Sequence, residues 1–195
     1  MHPSSPDYSR AGRFEIPALF LHLAAIAFAI GPAVFFGAIV APAAFRILPT
    51  RDLAASLTGP VLSGACVLAE VAFGVLFATS WWLTRGAALR STLLRSLLTR
   101  LPVAGFFAAL VISELLIPPM DRIRQEAPGL IDNLPAADPS RILLDRYHRL
   151  ATGFFGAVLV VALAILFLTA RLLSVTRSTP PAAARPPVPK LLDLS

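Results

Sequence analysis

From Ile16 to Phe45 the chain contains no Asp, Glu, Lys or Arg, and three more stretches are nearly as bare: Leu53 to Thr84 carries only Glu70, Leu101 to Met120 only Glu114, and Leu150 to Ala170 nothing charged. About 20 helical residues cross a hydrocarbon core of about 30 Å. Lipid offers the backbone no hydrogen bonds, so only helices and closed barrels span it, and these runs are too long and too little alternating for barrel strands. The expected fold is all-α, a bundle of four transmembrane helices at about 16–42, 59–83, 101–118 and 150–171. They form one domain over 16–172, between an N-terminal tail (1–15) and a Pro-rich tail (173–195) read as disordered.

Composition agrees. Of 195 residues, 56% are hydrophobic and 14% charged, against about 25% charged in soluble domains, and the mean hydropathy is +0.75. The net charge of +6 comes from 17 basic residues, of which only Lys190 is not Arg, and they flank the apolar runs instead of forming one basic face. That pattern points to a membrane partner and not to nucleic acid. Ala41-Pro42-Ala43 resembles a signal-peptide cleavage site, but the first run far exceeds the roughly 7 to 15 residues of a signal core. It is read as an uncleaved helix, with Pro32 kinking it or marking a locally packed break.

Four spans put both termini on one side. The N-tail, second loop and C-tail hold ten basic residues, and the first and third loops hold seven. The short second loop, with Arg85, Arg90, Arg95 and Arg100 and no acid, decides the orientation, because short basic loops stay inside. Both termini are expected in the cytoplasm. Lys-poor, Ala-, Leu- and Arg-rich usage suits a high-GC bacterium, hence a bacterial inner membrane. The third loop breaks at Pro128-Gly129, Pro135 and Pro139 and resumes as a short amphipathic helix in "SRILLDRYHRL". Pro186 to Pro189 in the tail form a PxxP spacer or ligand motif.

No phosphate loop, HExxH or Walker pattern occurs, and a lone cysteine, Cys66, excludes an intrachain disulfide. No catalytic residue is expected and an enzyme is disfavoured. Glu70 is the strongest candidate functional residue: with entry near Gly59 it lies about 15 Å deep, where an ionised acid costs about 3 kcal/mol. Its neighbours Ser63, Cys66 and Gly74 are expected to turn that stripe toward other helices. Glu114 should lie about 5 Å below the outer end of a helix that stops near Pro118-Pro119. With His148, Arg46, Asp121, Arg122 and Arg149 it suggests an outer charged cluster, read as a salt-bridge network or as an entrance for a ligand or ion. A haem or copper held by two histidines fits poorly, because His22, about 9 Å from the inner face, and His148 are roughly 20 Å apart.

The stretch "GPAVFFGAIVAPAAFRILP" (Gly31 to Pro49) resembles the first-helix signature of the transmembrane protein 205-like family, four-helix membrane proteins of largely unknown function. "IPPMDRIR" and "DRYHRLATGFF" resemble its Pro-x-x-x-Arg and Leu-His-Arg elements, with Tyr147 before His148. The resemblance covers most of residues 16 to 170 and makes Gly31, Pro42, Phe45, Pro118, Arg122 and His148 the family positions. "TGPVLSGACVLAE" departs from it in lacking aromatic residues, and Ile30-Gly31-Pro32 replaces a Trp-Gly-Gly type turn. The overall shape is also similar to copper-resistance-D-type and haem-biosynthesis oxidase-type proteins, in which a His near a helix end handles metal or haem.

Three functions remain open. A small transport or efflux component would use Glu70 and the outer cluster, with homo-oligomerisation through Gly105/Ala109 or Gly153/Ala157. A haem- or metal-handling protein would use His148 with Glu114. A scaffold or assembly factor would use the basic second loop and the Pro-rich tail. No cofactor is expected in the first or third case; haem or copper belongs to the second.

Overall fold

The computed structural model describes residues 8–86, 92–127 and 129–177, all in helices or short connections. Helix α1 (Tyr8–Phe35) passes through a π-helical turn (Phe36–Val40) into α2 (Ala41–Ile47). After a short turn comes α3 (Arg51–Gly86), then α4 (Thr92–Leu110), a second π turn (Val111–Leu116) and α5 (Ile117–Glu126). A 3-10 turn (Ile131–Asn133) leads to α6 (Pro139–Arg177). These form four continuous apolar spans, Ile16–Ile47, Arg51–Arg85, Thr92–Glu126 and Pro139–Ser174. The protein is a multi-pass, all-α membrane protein. The connection after the third span is not the long loop expected between 118 and 150 but only 127–138, because α5 runs on to Glu126 and the amphipathic stretch is the first part of α6, continuous with the fourth span.

Proline chemistry explains the two π turns. In an α-helix the amides of residues 42, 118 and 119 would serve the carbonyls of Ala38, Glu114 and Leu115; Pro42, Pro118 and Pro119 have none to offer. The chain widens by one residue just before each site: the Ala41 amide donates to the Phe36 carbonyl and the Ile117 amide to the Ile112 carbonyl, both i to i−5. Proline then sits at the second position of a new helical segment, where a missing amide matters least. The third span therefore does not stop near Pro118-Pro119, as expected from the sequence. It runs on to Glu126 because the π turn takes up the mismatch.

Neighbours in sequence are neighbours in space. The second span packs on the first and third, and the fourth packs on the third and closes the ring on the first. The core is rich in alanine, with Ala25, Ala29, Ala69, Ala72, Ala109 and Ala162 buried among larger residues such as Phe73, Leu76, Ile112 and Ile165. In lipid there is little hydrophobic force between helices, so small side chains that admit close packing take its place. Among the described glycines the closest approach is at Gly105, where an added Cβ would collide with the Phe73 ring. Gly105 and Ala109, expected on a face for oligomers, are thus buried against the second span. Gly153 and Ala157 are exposed on α6.

At the loop end, the Arg51 backbone amide at the start of α3 donates to Asp132 Oδ2 at 2.8 Å, and the Asp132 amide donates to Asp52 Oδ2 at 3.4 Å. A carboxylate at a helix N-terminus is favoured by the exposed amides there, so the third loop is pinned onto the second span. Asp138 caps α6 by accepting from the Ser140 amide at 2.8 Å. Substituting Gly105 by Ala should destabilise the bundle by about 1–3 kcal/mol, although Ala in place of Gly favours a helix by about 1 kcal/mol. Thermal unfolding in detergent should show the loss, and Phe73→Leu in the same chain should recover part of it.

Candidate functional site

Two polar constellations lie inside the spans. The first joins the second and third spans: the Ser113 hydroxyl, in the second π turn, donates to Glu70 Oε1 at 2.7 Å. Ser113 is buried and Glu70 half-buried. Ser113 Oγ also lies 3.3 Å from the Leu110 carbonyl. One hydroxyl has one proton and two acceptor lone pairs. If Glu70 is ionised, Ser113 gives its proton to the carboxylate; if Glu70 is protonated, the acid can donate to Ser113 Oγ and the hydroxyl can turn to Leu110. Both charge states are satisfied without moving a helix.

Glu70 lies near the middle of the second span, Arg51–Arg85, but its stripe is divided. Cys66 is buried and free, Ser63 half-buried, and Gly74 exposed, not turned toward other helices as the sequence suggested. The carboxylate thus lies at the margin of the seam between the second and third spans.

The second constellation was not legible as a site. His22, 2% exposed, sits on the first span and bridges the second and fourth, which lie across the ring from each other. Its Nδ1 is 2.8 Å from Thr79 Oγ1 and its Nε2 is 3.0 Å from Thr169 Oγ1. Each threonine hydroxyl is also placed to donate to the carbonyl one turn back in its own helix, Thr79 to Val75 and Thr169 to Ile165, both at 2.8 Å. With both hydroxyls back-bonded, both ring nitrogens must donate, which is the imidazolium pattern. A neutral ring donates through one nitrogen and accepts through the other, so one threonine must turn its proton to the ring.

The charged residues of the loop end are mostly open. Glu114, His148, Arg46, Arg122 and Arg149 are exposed, and among the described residues the one ion pair is Arg124 to Asp121, at 3.1 Å. Asp121 is thereby paired within α5. Of the other positions that the sequence resemblance singled out, Gly31 is exposed with open space at its Cβ, Pro42 and Pro118 follow the two π turns, and Phe45 is exposed. Among the described residues no three His, Cys, Asp or Glu side chains come together as a metal site. At the other end, Arg85 stacks over Trp81 and Arg171 over Phe167, as cations snorkelling at an interface do. Arg90, His2 and the PxxP segment lie outside the described residues.

Ser113, Thr79 and Thr169 could have been found only by asking which hydroxyls share a depth with Glu70 and His22. No protein-family profile, curated protein or solved structure matches this chain.

Removing one partner from a buried hydrogen bond leaves the other unsatisfied, at about 1–3 kcal/mol. Thr169→Val should therefore lower the unfolding temperature more than His22→Leu, which leaves both threonines bonded to their own helices. Thermal melts of the two variants in one detergent test the order.

Proposed function

We propose that this chain is a small transport-type component of a bacterial inner membrane, with both termini in the cytoplasm, in which Glu70 carries the transported charge. The observation behind this reading is the Glu70–Ser113 pair: a mid-span carboxylate whose partner is a hydroxyl with a second acceptor in reach. An ionisable residue inside a span is expensive, which favours a functional role. An arginine partner would hold the acid in its charged form; a hydroxyl serves the charged and neutral forms alike. The position at the edge of the seam between two spans gives the carboxylate a route for exchange, which a fully enclosed packing residue lacks.

The resemblance to the transmembrane protein 205-like family accords with this reading in architecture and in its loop-end elements, Pro42, Phe45, Pro118, Arg122 and His148. Haem or metal handling through His148 and Glu114 draws on the same resemblance in outline. No described contact joins those two side chains, and both His22 nitrogens are occupied by threonines.

The test is flux into liposomes carrying the purified protein and a trapped pH-sensitive dye, under imposed proton, sodium and potassium gradients. Wild-type protein should dissipate at least one gradient faster than protein-free liposomes, and Glu70→Gln should return the rate to the leak while its melting temperature is kept, since Gln still accepts from Ser113. Unchanged flux in a folded Glu70→Gln protein would remove the reading. A Soret band or stoichiometric copper that disappears in His148→Ala would put metal handling in its place.

A further inference from the structure

We infer that His22, Thr79 and Thr169 form a second intramembrane proton-binding site, in series with Glu70 and loaded from the end of the bundle that carries both termini. This rests on the reading of Glu70 as the transport group, and it names the proton as the transported species. Three observations lead to it.

The first is the hydrogen-bond inventory of the ring. Proton uptake would add one proton to the ring nitrogen that accepts a threonine hydroxyl. That hydroxyl would rotate to its own helix carbonyl, Val75 or Ile165, each already 2.8 Å away. The ring gains one positive charge, no other bond breaks, and no buried donor or acceptor is orphaned in either state. A histidine held by a carboxylate or a backbone carbonyl would lack this freedom, because such partners only accept.

The second is a neighbouring buried hydroxyl with no partner among the described residues. Ser80 Oγ, in a residue 1% exposed next to Thr79, has no hydrogen-bond partner among the described residues. The antiparallel register set by Phe73 on Gly105 and Glu70 on Ser113 carries Ser80 to the level of Leu98 and Pro102, both buried. Pro102 has no amide to offer the Leu98 carbonyl. A buried hydroxyl and a carbonyl deprived of its usual helical amide thus share one level, and a bound water or hydronium needs polar groups of both kinds. Thr84, whose hydroxyl donates to the Ser80 carbonyl at 2.7 Å, continues the polar row toward the terminal end.

The third is what separates the two sites. Thr79 is nine residues beyond Glu70, about 13 Å along the helix. Phe73 and Leu76, both fully buried, lie between them. Two binding levels divided by an apolar layer let one side be open while the other is closed. Among the described side chains no charged group hydrogen-bonds the ring. Among the described side chains those at this end are Arg85, Arg95, Arg100 and Arg171, all exposed, and Glu70 is turned to Ser113 on the far side of the apolar layer.

Proton flux driven by a potassium–valinomycin potential is compared for wild type, His22→Gln, Thr79→Ala and Glu70→Gln in liposomes, with ring-nitrogen NMR of histidine-labelled protein across pH in wild type and Glu70→Gln. The expected result is loss of proton flux in His22→Gln with little change in melting temperature, and a His22 ring that passes between one and two protonated nitrogens in both proteins. Thr79→Ala, which keeps the imidazole, covers the case in which His22→Gln does not fold, and should slow the flux. Normal flux in folded His22→Gln or, where that variant does not fold, in Thr79→Ala overturns the inference, as does a ring that keeps one protonation state throughout. Those outcomes leave His22 a clasp between helices. Loss of flux in Glu70→Gln alone keeps the Glu70 reading and removes the second site; loss in His22→Gln alone, with a titrating ring, does the reverse.

Discussion

The seating of the Phe73 ring against Gly105 is the contact on which the inner arrangement of this protein depends. In water, apolar side chains would drive two such helices together whatever their detailed shape. In lipid the tails are as apolar as leucine, and helices meet where their surfaces fit. A glycine that leaves room for a phenyl ring gives one preferred register between the second and third spans. From that register the rest follows. Ser113 comes to Glu70, Ser80 comes to the level of Pro102, and the alanines of the core face one another closely enough to exclude larger side chains.

Backbone satisfaction supplies the second constraint. Pro42, and Pro118 with Pro119, remove amides at the loop ends of the first and third spans, which run in the same direction through the bundle. The same device answers in both: a π turn, proline at the second position of the resumed helix, a buried residue two places on (Ala44, Met120), and an exposed arginine two places beyond that (Arg46, Arg122). In the third span the π turn also shapes the polar site. It contains both Ser113 and Glu114, and it turns the serine inward to Glu70 while the glutamate faces out.

Four spans could be read directly, because a charge-free run long enough to cross a membrane as a helix is hard to bury in any other way in a chain of this size. Glu70 was legible for the same reason, as a lone acid in such a run. Its partner was not. Serine and threonine within spans usually bond to their own helix, as Thr58 and Thr84 do here, and nothing in their local sequence tells which will also meet a neighbour. His22 stood out as an ionisable residue, but its role as a bridge depends on the ring order of the helices, which no single stretch encodes. Gly105 and Ala109 look the same on paper whether they face lipid, a second copy or Phe73. The end of the third helix was misjudged because proline rules describe an α-helix, and the chain answers with a π turn instead.

The choice of hydroxyls at both intramembrane sites carries the strongest physical message. Burying an ionisable group beside a fixed opposite charge stabilises one protonation state, and the desolvation of the pair is then offset only while both stay charged. A hydroxyl is donor or acceptor according to need, so it holds the charged and the neutral form of its partner with similar geometry. For packing alone, the cheaper solution at either level is an apolar side chain, which removes the desolvation cost altogether. This chain instead keeps a carboxylate and an imidazole within the spans, gives each, among the described residues, only hydroxyl partners, and places a carbonyl within reach of every such hydroxyl. That combination adds little to stability, yet it is what a group needs if it is to gain and lose a proton without disturbing the helices around it.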